Sequence, residues 1–65
     1  MNELDTELIE GYRNIIMQII HMGNLIPVPV DDKDLTWEFV RWNNRCAIES
    51  LDSAIIYITE LRDSE

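Results

Sequence analysis

Arg41 and Arg45 lie one helical turn apart, interleaved with Trp37, Trp42, Asn43 and Asn44, with Lys33 and Thr36 just ahead of them. A guanidinium fork binds phosphate, an indole stacks on a base, and a carboxamide reads amide-like edges. This stretch has the chemistry for a small anionic planar ligand. With Trp42 as an anchor, it could equally dock on a protein. The plainer alternative is a solvated face, where Arg41 and Arg45 pair with Glu38 and Glu49 for a few tenths of a kcal/mol each.

Catalytic chemistry finds less support. Glu7-x-x-Glu10 and Glu49-x-x-Asp52 have the spacing of the paired carboxylates that hold magnesium in all-α nucleotide pyrophosphatases. Those carboxylates should face a bundle interior, but at about 100° per residue Glu10 and Glu49 point away from their apolar stripes. His21 is the sole histidine and has no acid–base partner in sequence. Cys46 falls in an apolar stripe and reads as a small core residue. Zinc spacing, a glycine-rich phosphate loop and a serine motif are all missing from the sequence. We therefore expect no catalytic residue, no metal and no cofactor.

Two long amphipathic segments must position the Trp/Arg cluster. Pro27 and Pro29 sit between them, and neither can lie inside a helix. The pattern predicts an all-α antiparallel two-helix hairpin forming one domain over 1–65. A helix at about 3–22 leads to a proline-containing loop at 23–33 and a helix at about 34–62. Asn2 or Asp5 could cap the first helix, and Gly23 is placed to stop it. Its main stripe is Leu4, Leu8, Tyr12, Ile15, Ile19 and Met22, with Ile9, Ile16 and Ile20 on the shoulder and Gly11 at the edge. In the second helix the main stripe is Trp37, Val40, Asn44, Ala47, Ile48, Leu51, Ala54, Ile55, Ile58 and Leu61, and Phe39, Cys46, Ser50 and Tyr57 lie beside it. At about 1.5 Å per residue the second helix outruns the first by roughly 10 Å.

Each apolar arc is wider than one neighbouring helix can cover, so a homodimer or larger assembly is expected, with a helix-bundle core. Asn44 interrupts the main stripe. A buried amide needs a partner, and a core Asn can fix register and oligomer state; the alternative role is a ligand contact. Trp42 lies nearly opposite the main stripe. It reads as an interface residue unless the helix kinks to fold it back.

Composition narrows the function classes. The chain has 65 residues, 46% of them hydrophobic and 28% charged, which suits a small globular domain near the size where a lone core is marginal. A net charge of -8 argues against general nucleic-acid or anionic-membrane binding. It permits a basic partner. An antiparallel hairpin would bring acidic residues of both ends together, Glu3, Asp5, Glu7 and Glu10 against Asp52, Glu60, Asp63 and Glu65. The sequence has neither an apolar run of membrane-spanning length nor a basic leader, and it has one cysteine, so a cytoplasmic location is expected.

Ala47 is followed after six residues by Ala54-Ile55, near the end of the second helix. Lys33 and Thr36 stand at that helix's start, and Tyr12 lies in the first. In this plan of helix, proline-containing turn and helix, residues 8–58 resemble phage-encoded helical-hairpin sponges that sequester cyclic oligonucleotide signals of bacterial immunity (the anti-CBASS hairpin family). The resemblance implies a homo-oligomer with nucleotide sites between subunits and no catalysis. The sequence departs from that pattern in its longer loop, where Asp31, Asp32 and Asp34 replace basic character. The reading that results is a small acidic interaction protein, self-associating, that binds and inhibits or sequesters a target. A phage or mobile-element antagonist of a host protein fits that profile, and a cyclic-nucleotide sponge is the alternative. Tyr12, Lys33, Thr36, Trp37, Arg41, Trp42 and Arg45 are the candidate binding residues, with Asn44 as the register residue.

Overall fold

In the computed structural model, residues 3–28 and 35–64 are described. They comprise two α-helices packed against each other, α1 (Glu3–Leu25) and α2 (Leu35–Asp63). Glu3 and Asp5 in the first turn of α1, and Arg62 in the last turn of α2, suit the helix dipoles. The helices break where Pro27 forbids continuation. The expected cap Asn2, helix start Asp34 and terminal Glu65 lie outside the described residues.

α1 does not stop at Gly23. It runs two residues further, and Gly23 is helical with no positive φ. The chain leaves the helix just after Leu25, where the Ile26 amide donates to the Gly23 carbonyl at 3.2 Å. Gly23 is needed for space rather than for a left-handed turn. A Cβ there would lie 2.6 Å from the Asn44 side-chain oxygen.

The seam between the helices also differs from the expected stripe. On α1 it follows Asp5, Ile9, Tyr12, Ile16, Ile19 and Gly23 and continues to Ile26 just past the helix, each buried or half-buried. On α2 it follows Asn44, Ile48, Leu51, Ile55, Ile58 and Arg62. Both rows advance in alternating steps of three and four, the spacing that keeps one helix edge against another. Leu4, Leu8, Ile15 and Met22, expected in the main stripe, are instead exposed. The supposed shoulder residues Ile9 and Ile16 take their place. Ile15 precedes Ile16 by only one residue, so the apolar arc contains two rows about 100° apart, and either could have faced α2.

The plate formed by this hairpin measures 51 × 17 × 10 Å over its Cα atoms, one helix thick. Among the described residues only Ile9 and Ile55 are buried hydrophobics. Cys46 is exposed rather than part of a core, because it lies outside the row that meets α1.

Candidate functional site

Asn44 supplies the one polar contact between the helices among the hydrogen bonds of the described residues. Its side-chain amide donates to the Ile19 carbonyl at 3.1 Å, and its oxygen rests over Gly23. No buried side-chain nitrogen or oxygen among the described residues lacks a partner. The register this contact visibly sets is that of α1 against α2 within one chain. With Asn44 level with Gly23, successive turns bring Ile48 level with Ile19, Leu51 with Ile16, Ile55 with Tyr12 and Ile58 with Ile9.

The same register places the Trp/Arg cluster. α1 ends at Leu25, roughly level with Trp42, so the first two turns of α2 project past it. All residues from Leu35 to Asn43 are exposed. Trp37 and Arg41 continue the seam row of α2 beyond the reach of α1. Around the helix, Arg41 and Arg45 stand about 40° and 80° from Trp37, and Trp42 about 140°. The two tryptophans therefore bracket the two arginines on one broad arc. Trp42 is 64% exposed and is not folded back into a core.

The ion pairs considered with Glu38 and Glu49 do not form. Among the described residues the side-chain ion pair is Arg62–Asp63 at 3.9 Å. Asn43 turns its amide back onto its own helix, donating to the Phe39 carbonyl at 2.8 Å, so it is engaged locally.

Two other candidate residues are not brought to this arc. Tyr12 is half-buried in the seam beside Ile55, about 20 Å along α2 from Trp42. Thr36 lies about 100° behind Trp37, on a different side of α2. Lys33 lies outside the described residues. The sequence reading missed the Gly23–Asn44 contact; its signal was an amide in an apolar row and a glycine at the end of the facing helix.

The remaining chemistry is sparse. Among the described residues no group of three or more His, Cys, Asp or Glu side chains is placed to hold a metal ion. Likewise no helix is long and apolar enough to cross a membrane. The arrangement can stack, form charge-assisted hydrogen bonds through its arginines, and bury apolar surface. No family model, curated protein or solved structure matches the chain.

Proposed function

We propose that this chain is a small non-enzymatic binding protein that self-associates through its hairpin and acts by binding a target protein, which it inhibits or sequesters. The observation that carries this reading is the uncovered apolar surface. The chain exposes 5470 Å², whereas a folded monomer of its mass exposes about 4,300 Å². A plate one helix thick cannot cover both its faces, and large apolar areas on small chains mark association.

The target-binding surface in this reading is the projecting end of α2, with Trp42 as anchor and Arg41 and Arg45 beside it. Exposed tryptophan and arginine are the residue types that dominate interface energetics. A small acidic antagonist of a host protein, working in the cytoplasm, is the setting that fits this profile.

The test separates target classes. Trp42→Ala is expected to weaken capture of the target by at least about 30-fold, the loss of one interface hot spot of about 2 kcal/mol. Arg41→Ala combined with Arg45→Ala should cost less. If thermal-shift titration with cyclic oligonucleotides stabilises the chain, and the double arginine variant abolishes that shift while Trp42→Ala retains part of it, the ligand is a nucleotide. If all three substitutions leave activity and assembly unchanged, the projecting end is not the site.

A further inference from the structure

One face of the plate is nearly free of charge. On α1 the row Leu4, Leu8, Gly11, Ile15, Gln18, Met22 and Leu25 advances in steps of four and three, parallel to the seam and about 100° from it. On α2 the corresponding row is Thr36, Val40, Asn43, Ala47, Ser50, Ala54, Tyr57 and Leu61. In an antiparallel pair these rows lie on the same side, so they form one continuous surface. Of the charged residues of the two helices only Glu7 borders it, at the edge that Leu25 also marks. Glu10, Arg13, Arg45, Glu49 and Asp52 populate the opposite side.

The relief of this surface is uneven. α1 raises a ridge of Leu8, Ile15 and Met22, exposed by 40%, 44% and 60%. α2 forms a trough of Ala47, Ser50 and Ala54. Ridge and trough run side by side in opposite directions. Rotating a second copy by half a turn about the long axis lays its α1 ridge in the α2 trough of the first, and the reverse. All four neighbouring helix pairs are then antiparallel.

We propose, resting on the self-association reading above, that this charge-poor face is the site of homodimerisation, giving a four-helix bundle in which each α1 packs on the second copy's α2. Ile15 inserts between the second copy's Ser50 and Ala54. Gly11 comes level with the second copy's Tyr57, itself 65% exposed. A Cβ on Gly11 would meet nothing within 4 Å in its own chain, so nothing there requires glycine; an approaching tyrosine does.

Two quantities favour a second copy as the occupant. The chain exposes about 1,100 Å² more than its mass predicts, and a stable dimer buries about 800 Å² per subunit. At a net charge of -8, two copies repel wherever charges meet, and this face carries the fewest, Glu7 alone at its edge. Trp42 and Arg45 remain outside the bundle, open to the target.

Sedimentation equilibrium of the full chain at micromolar concentration is expected to give twice 7.7 kDa. Ile15→Lys should weaken the dimer at least about 100-fold by placing an ammonium in the trough. Ile56→Lys, the same change at a 50% exposed residue on the other side, should alter it by no more than about threefold. A second measurement needs no buried charge. In a Cys46→Ser background, Ile15→Cys chains mixed with Ser50→Cys chains should oxidise to a disulfide-linked heterodimer, whereas Ile15→Cys with Ile56→Cys should not. A monomeric wild-type chain would overturn self-association itself. A wild-type oligomer that resists Ile15→Lys, dissociates with Ile56→Lys, or fails the first cross-link would leave self-association standing and overturn this face. A mass above two chains would overturn the two-layer bundle.

Discussion

Leu51→Asp is expected to abolish the helical far-ultraviolet signal at neutral pH. Leu51 sits in the seam, level with Ile16, and is half-buried. A carboxylate there finds no cation along the row. The next charged seam positions are Arg41 and Arg62, about 15 Å away in either direction. An unpaired buried charge costs several kcal/mol, and a domain of this size holds about 3–5 kcal/mol in all. Burial raises the carboxyl's folded pKa above its unfolded value of about 3.9. The neutral acid's tolerance is then fully present below the unfolded pKa and is lost as pH rises through the folded one. The variant should regain helix below about pH 4. Ser53→Asp, an exposed control two residues on, should remain folded throughout. Retained helicity of Leu51→Asp at neutral pH would show that the seam is not the core.

The second large effect is a reversal of sign. Gly23→Ala forces the Asn44 oxygen away from a position 2.6 Å off and pulls its amide from the Ile19 carbonyl. Alanine favours the helix by up to about 1 kcal/mol over glycine, but the displaced, part-buried amide loses about 1–3 kcal/mol. The net change should be destabilising. In an Asn44→Ala background the obstacle is gone, and the same Gly23→Ala should stabilise by about 0.5–1 kcal/mol. The coupling between the two sites should therefore reach about 1–2 kcal/mol in a double-mutant cycle, measured at one fixed concentration. Equal effects of Gly23→Ala in both backgrounds would rule out the contact as a register device.

These two sites also mark where the sequence could be read and where it could not. The hairpin was legible because Pro27 and Pro29 leave one place for the chain to break. The projection of α2 was legible from helix lengths alone. The end of α1 was misjudged because glycine near a helix end usually serves a left-handed turn. Here it makes room for a side chain arriving from 21 positions away. That Asn44 needed a partner followed from burying an amide. That the partner was the Ile19 carbonyl could not follow, because every residue carries the same carbonyl. The choice between Ile15 and Ile16 as the seam was undetermined for a related reason: two interleaved apolar rows satisfy one helical period equally well. That Trp37, Arg41, Trp42 and Arg45 share one arc was legible, because they lie on a single helix. Tyr12 lies apart from them because the antiparallel register sets it beside Ile55, about 20 Å along α2 from Trp42.

A sheet of matter one helix thick has little inside of its own. Most proteins carry their solvent shield in their own chain, and their persistence is then indifferent to how many copies surround them. A plate that borrows its shield from another copy is different. For a two-chain assembly, each tenfold rise in concentration adds about 1.4 kcal/mol to the folded state. For a chain whose whole stability is about 3–5 kcal/mol, two such steps span the range from mostly unfolded to mostly folded. If the proposed dimer forms, abundance would act as a switch. Scarce copies would unfold and be open to proteases, while a burst of synthesis would cross the threshold.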